Sequence, residues 1–387
     1  MVMIESDAGP AERLRAELAS WLADHLTPDL IDAGTGMPTA ATLESLRSWN
    51  RLLADAGWAA PAWPREYGGR DARIDEQMAY LEVMSRSGAP GPVNSIGVAN
   101  IAPAIMQYGS DEQKARFLQP LLRGDEIWSQ GMSEPDAGSD LASLRTSARI
   151  EGDAFVVNGQ KTWNSLGQFA DWCQLYVRTD PSSSKHRGIS CLLVDLRAAG
   201  IEVRPIRSIT GASSFSELFF SDVQVPRDAL LGPLDQGWTV AMTTLSYERA
   251  GVARLHLMLT SRLAEVLAEP GVAAALADPR LRDRVASVHS DIACMRYMTD
   301  RSLAQQSQGQ PAGAVGSLTK LAWGRADQKL ASLAVDLLGA RGMESGTWAT
   351  NLASARQTSI AGGTTEINLN IVAEHGLGLP REPSVNP

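Results

Sequence analysis

The sequence predicts an α+β chain in three successive parts: an N-terminal helical domain over residues 1–124, a middle β domain over 125–231, and a C-terminal helical bundle over 232–387. Three observations carry this. Apolar residues recur at helical spacing through the first third. Short β-type runs with turn signals replace them after Asp125. Long apolar-faced helical patterns return after Leu231-Gly232-Pro233. At 387 residues the chain also exceeds what one simple core accommodates.

The elements follow in order. Leu14, Leu18, Trp21 and Leu22 fall at i, i+4, i+7 and i+8 and make one apolar stripe. Leu43, Leu46, Trp49, Leu52 and Leu53 make a second, with Gly57 as its stop. Gly88 to Pro92 punctuates the helices, and Val98 to Met106 reads as a buried helix despite Asn100 and Pro103. Ser110-Asp111-Glu112-Gln113 is a capping box opening a helix through Phe117 and Leu118. Phe155 to Val157, Asn158-Gly159 and Gln160 to Trp163 form a hairpin signal, because Asn-Gly favours a type I′ turn. Gln174–Val177, Ile189–Val194, Ile201–Pro205 and Glu217–Val225 are further strands, and this density of strands predicts a small barrel or sandwich. The bundle is expected from helical patterns over Gln236–Leu267, Pro279–Ser307, Ala314–Leu338 and Ser359–His375.

Composition sets broad limits. Apolar residues make up 44% and charged residues 20%, an ordinary globular balance. The net charge of −9 argues against nucleic acid or an anionic membrane as the main partner. Cys173, Cys191 and Cys294 have no metal or CxxC spacing, which suits free thiols in a reducing cytoplasm. The N-terminal residues lack the apolar core of a signal peptide, and no stretch approaches a membrane span. His25, His186, His256, His289 and His375 are scattered, with no metal or triad spacing, and read as structural or surface residues.

Two segments carry chemistry. Ser133-Glu134-Pro135-Asp136-Ala137-Gly138-Ser139-Asp140 is a run of small and polar residues whose backbone can approach a bulky ligand closely. On composition alone it equally closes a helix-to-strand junction. Lys161-Thr162-Trp163-Asn164-Ser165 sets an indole two residues from a hydroxyl, which suits a flat heterocycle. A lone strand tryptophan is more often core. The run Trp128 to Asp140, the run Asn158 to Ser165 and Gly362-Gly363-Thr364-Thr365-Glu366-Ile367 together resemble the motifs of acyl-CoA dehydrogenases, and the resemblance extends over nearly the whole chain.

That resemblance implies the acyl-CoA dehydrogenase fold, with a β-barrel between two helical domains, and FAD as cofactor. Gln130, Met132 and Ser133 match residues that touch the flavin, Trp163 packs on its ring, and Ser165 hydrogen-bonds near the flavin nitrogen that accepts hydride. Ser139 matches the serine that contacts the CoA portion of the substrate. Thr364 and Glu366 fall in the segment that meets the cofactor, and Gly363 would offer its N–H to the thioester carbonyl. The implied reaction is α,β-dehydrogenation of an acyl-CoA to the 2-enoyl-CoA, with flavin N5 accepting the β-hydride and an electron-transferring flavoprotein taking the electrons onward.

The sequence departs from the family's pattern at informative places. Gly362 stands where most members carry the catalytic glutamate, and glycine cannot be a base. Glu248 matches the base that isovaleryl- and long-chain-type members present from a long helix, and Arg249 matches a substrate-side arginine. Without the resemblance, this pair reads as solvated charge on a helix face. The Arg-x-x-Phe-Gly element that reaches a neighbour's FAD pyrophosphate is missing from Ala268–Val288, where Arg280, Arg282 and Arg284 are the candidate substitutes. Asp336 and Glu366 stand at usual glutamine positions, and acids beside a pyrophosphate need a compensating cation. Bacterial relatives acting on steroid side-chain thioesters pair two chains, and this one looks like the base-bearing type. A homo-tetramer and an α2β2 hetero-tetramer both remain open. So do an acyl-CoA oxidase, a flavin monooxygenase and a catalytically incomplete subunit.

Overall fold

The computed structural model describes residues 9–183, 185–250, 255–307 and 314–381, without the side chains of residues 248–250 and 306–307. It comprises two compact units, Met1–Tyr247 and Glu248–Pro387.

Helices open the first unit. α1 (Pro10–His25) turns Leu14, Leu18 and Leu22 inward, with proline in its first turn, where a missing N–H costs nothing. α2 (Pro28–Ala33) is capped by Thr27. α3 (Leu43–Asp55) buries Leu46, Trp49 and Leu53, and α4 is Ile74–Ser87. The buried helix expected over Val98–Met106 is a π-helical turn, Gly97–Ile101, continuing into α5 (Ala102–Tyr108). Pro103 sits in the first turn of α5, so it breaks nothing. α6 (Asp111–Arg123) opens on the capping box that its sequence predicts. Ser110 Oγ accepts from the Gln113 N–H and Gln113 Oε1 accepts from the Ser110 N–H, each at 3.2 Å.

The strands are β1 (Trp128–Gly131), β2 (Ser147–Glu151), β3 (Ala154–Ser165), β4 (Trp172–Arg178), β5 (Ile189–Asp195), β6 (Ile201–Ile206), β7 (Phe215–Pro226) and β8 (Leu230–Leu231). They form one mixed sheet in the order β6-β7-β3-β2-β4-β5-β8, with β1 parallel to β4. The expected β domain is thus one mixed sheet with β6 and β8 at the ends of its strand order, and no ladder joins those ends among the described residues. β4 and β5 are buried on both faces, which is why their apolar residues do not alternate with exposed polar ones. Leu175 and Leu192 enter the sheet's own core with Phe155, Val157, Leu218 and Phe220. Their neighbours Tyr176 and Leu193 enter the helical core with Trp49, Trp58 and Leu118. α7 (Gly237–Ala250) leaves this unit, with Thr244 Oγ1 3.2 Å from the buried Tyr176 hydroxyl.

The hairpin expectation is corrected. Asn158-Gly159 is not a hairpin turn but lies inside β3, and the turn between β2 and β3 is at Gly152-Asp153. Gly159 has φ +147°, and a Cβ there would lie 2.7 Å from Thr146 Cα. The β3–β7 register slips between Val157 and Gly159, and Asn158 spans the slip by accepting from the Asp222 N–H at 3.0 Å. A bulge and a close backbone approach, rather than a turn, require the glycine.

The second unit is helical. It contains α8 (Leu255–Ala268), α9 (Val272–Ala275), α10 (Pro279–Ser307), α11 (Val315–Leu338), α12 (Thr347–Ser354) and α13 (Thr365–Ile371). Leu259, Leu263, Val288, Ile292, Met295, Leu330 and Leu333 build its core. The pattern expected over Gln236–Leu267 is two helices, α7 and α8, with 251–254 outside the described residues. The run expected from Ser359 becomes α-helix only at Thr365, because Gly362 and Gly363 take φ +68° and +87°. No helix among the described residues is long and apolar enough to cross a membrane.

Candidate functional site

In the first unit, residues 129–134 lie along the end of β3 and are laced to it by hydrogen bonds. Ser129 Oγ donates to the Ser165 carbonyl at 2.9 Å, and Asn164 Nδ2 to the Gln130 carbonyl at 2.6 Å. The Thr162 N–H donates to the Ser133 carbonyl at 2.9 Å. Lys161 Nζ donates to the Met132 carbonyl at 3.0 Å and to Glu134 Oε1 at 2.8 Å. The Glu134 carboxylate also accepts from the Arg145 N–H at 2.7 Å and the Thr146 N–H at 2.9 Å. Burial alone would raise that carboxyl, but the Lys161 charge and these donors outweigh it and hold it below the usual carboxylate range.

Beyond Glu134 the chain turns tightly. Glu134 and Ala137 exchange backbone hydrogen bonds across Pro135-Asp136, which leaves Ser139 and Asp140 exposed. Arg178 then ties the next turn to the β4–β5 loop, donating to the carbonyls of Ala142, Lys185 and Arg187.

The Trp163 side chain takes no part in this lacing. The β3–β7 register slips between Lys161 and Asn164. Trp163 sits at the slip with φ +61°, and its indole is 60% exposed. Its ring meets Phe215 edge-on at 6.0 Å. Trp163 is thus a bulky residue in the sparsely populated left-handed region with an exposed aromatic face. In the laced segments, Gln130 Nε2 and Asn164 Oδ1 are buried without a partner, although buried polar atoms normally have one. An exposed indole on a segment that also carries unfilled hydrogen-bonding capacity fits a flat, polar-edged heterocycle. The structure therefore gathers Gln130, Met132, Ser133, Trp163 and Ser165 in one place, with Ser139 at the exposed end of the same segment.

The remaining expected residues belong to the second unit or lie outside the described residues. Thr364 caps α13, its Oγ1 accepting from the Ile367 N–H at 3.2 Å. Asn368 Nδ2 donates to the Gly363 carbonyl at 2.9 Å and so fixes the two-glycine turn. Glu366 is exposed in the first turn of α13, and its field opposes the fall that burial imposes on the Lys320 ammonium. Asp336 is paired with Arg284 at 2.6 Å. Arg280 pairs with Asp278 at 2.8 Å, and Arg282 donates to the carbonyls of Leu276 and Ala277. All three candidate arginines are thus engaged locally. Glu248 and Arg249 fall in the last turn of α7, and their side chains lie outside the described residues.

Glu134 and Lys161 were not singled out from the sequence. No spacing rule connects two positions this far apart, and a glutamate in a turn run or a lysine in a strand reads as solvated charge. The pairing shows only once β1 and β3 lie side by side.

Known proteins give a consistent picture. Three family models match: acyl-CoA dehydrogenase, N-terminal domain, over residues 11–125; middle domain, over 129–223; and C-terminal domain, over 235–377. The chain is 37% identical over 381 residues to acyl-CoA dehydrogenase IpdE1 of Mycobacterium tuberculosis, covering 96% of this chain and 98% of that protein. Among solved structures, the Tcur3481–Tcur3483 steroid ACAD matches with a TM-score of 0.85 at 30% identity, over 96% of this chain and 98% of that one. The ChsE4–ChsE5 complex from Mycobacterium tuberculosis matches with a TM-score of 0.80 at 30% identity, over 97% and 99%.

Proposed function

The chain belongs to the acyl-CoA dehydrogenase family of FAD-dependent oxidoreductases, and we propose that it is the base-bearing chain of a heteromeric enzyme converting a bulky acyl-CoA to its 2-enoyl-CoA. The observation supporting the flavin site in this reading is the exposed Trp163 at φ +61°, on a strand tied through Asn164 to the segment that carries the unpartnered Gln130 Nε2. Those residues fit the ring end of FAD. Gln130, Met132, Ser133, Trp163 and Ser165 would hold it, and Thr364 and Glu366 are further proposed cofactor contacts. Bound FAD would supply the two-electron oxidant that the reaction needs.

The rest of the chemistry falls to the protein. The α-proton of a thioester is weakly acidic, so its removal calls for a carboxylate in a site shielded from water. Gly362 supplies none, and we assign the proton to Glu248. Gly363 would present its N–H where negative charge builds on the thioester oxygen. Ser139 and Arg249 would hold the CoA-bearing substrate. We further propose that electrons leave to an electron-transferring flavoprotein and that the reaction is cytoplasmic, in keeping with three free thiols.

The heteromer is supported from within the chain. The arginines nearest the missing Arg-x-x-Phe-Gly element are committed to local partners, so the cation for the FAD pyrophosphate would come from a homologous chain. The two-chain names of ChsE4–ChsE5 and of the steroid ACAD favour the same assembly. Expression alone and together with a homologous chain tests this, followed by a panel of short, branched, long and steroidal CoA thioesters. The expected result is a yellow complex, flavin-poor when the chain is alone, that forms enoyl-CoA and passes electrons to a flavoprotein acceptor. Full FAD occupancy in the isolated chain would overturn the heteromer. Peroxide production with oxygen consumption would make it an oxidase, and NADH-fed turnover of a non-thioester a monooxygenase.

A further inference from the structure

Lys161 is fully buried, as is most of Glu134. A buried ion pair is costly to desolvate and is often replaced by apolar residues without loss of stability. What this pair supplies is placement. The Lys161 ammonium grips two successive features of the facing segment, the Met132 carbonyl and the Glu134 carboxylate. On the other side of Trp163, Asn164 grips the Gln130 carbonyl. Lys161 and Asn164 therefore bracket the tryptophan and lock residues 130–134 to β3. The same two residues bound the register slip against β7. Between these tied ends β3 carries one residue more than β7, and Trp163 lies there at φ +61° with its indole exposed.

We propose that Lys161 is a positioning residue. Acting through Met132 and Glu134, it holds Trp163 in its outward pose and sets the spacing between the two ligand-facing segments. The proposal rests on the reading of this region as the flavin site. It predicts that loosening the clamp disturbs the flavin beyond any loss of stability.

The test compares Lys161→Met with Val225→Ala, which opens the sheet core away from the clamp, in the FAD-loaded assembly. Three quantities are read: the melting temperature of the apo-protein, the FAD dissociation constant, and the fluorescence of bound flavin, which a stacked indole quenches. In Lys161→Met, FAD affinity is expected to fall at least about tenfold and bound-flavin fluorescence to rise. Val225→Ala should melt earlier with an FAD dissociation constant within about twofold of wild type. Lys161→Met within twofold of wild type overturns the proposal. If Lys161→Met does not fold, Lys161→Arg is read by the same criteria, because it keeps the charge but replaces a point donor with a planar fork. If neither folds, the pair belongs to the fold rather than to the site, and the proposal is overturned. Wild-type assembly that binds no FAD overturns the flavin reading and the clamp together. FAD binding lost in Trp163→Gly but intact in Lys161→Met overturns the clamp alone.

Discussion

Replacing Trp163 with glycine separates a ligand platform from a core residue. Three effects on the apo-protein oppose one another. Relief of the left-handed conformation at φ +61° gains roughly 1–2 kcal/mol. Glycine's greater freedom in the unfolded chain costs about 0.5–1 kcal/mol. Loss of the edge contact with Phe215 at 6.0 Å costs a further ~0.5–1.5 kcal/mol. With the indole 60% exposed, little apolar burial is forfeited besides. The sum lies within about 1.5 kcal/mol of zero, a shift of a few degrees at most for a unit of this size. A core tryptophan would lose about 3–5 kcal/mol. FAD affinity should fall at least about tenfold, or ~1.4 kcal/mol. Thermal unfolding of the apo-protein and titration with FAD measure the two quantities. A loss of 3 kcal/mol or more in apo stability, with FAD binding unchanged, would refute the platform and make Trp163 an ordinary packing residue.

Gly159→Ala should destabilise the first unit by roughly 2–4 kcal/mol, since the new Cβ meets Thr146 at a positive φ; an unchanged melting temperature would contradict the bulge. The Glu134 carboxyl is depressed from its ordinary value of 4.5, so its contribution to stability is present above that pH and is lost as pH falls through the folded value. Wild type should therefore lose stability more steeply below pH 4.5 than Glu134→Gln, and equal slopes would contradict the ion pair. Burial raises the Cys173 thiol to about 12 and raises Cys191 as well. A thiol reagent should therefore reach no more than Cys294 before unfolding, and fast native reaction at Cys173 or Cys191 would contradict that packing.

Much of this fold was legible because local signals and tertiary demands agree. The Ser110–Gln113 box caps α6 as its residues dictate, and α10 covers the stretch that its apolar period marks. The runs of β4 and β5 could be read because both faces are buried. Asn158-Gly159 marks a turn by its residue types, but here glycine is required by a φ of +147° and by the close approach of Thr146 at a bulge. β1 and β2 escaped notice because Trp128–Gly131 is too short, and Ser147–Glu151 too polar, to show a period. In the site, Trp163 and its neighbours stood out as a motif. The Glu134–Lys161 clamp did not, since it exists only through non-local pairing.

The central claim is that Glu248 removes the α-proton of an acyl-CoA beside a flavin seated on Trp163. Anaerobic mixing of the FAD-loaded assembly with its best acyl-CoA, followed at flavin wavelengths, tests it most directly. Wild type should bleach as enoyl-CoA forms. Glu248→Gln should retain its FAD and bleach at least about 100-fold more slowly, the lower range of what a positioned general base contributes. Bleaching of Glu248→Gln at the wild-type rate would contradict the account.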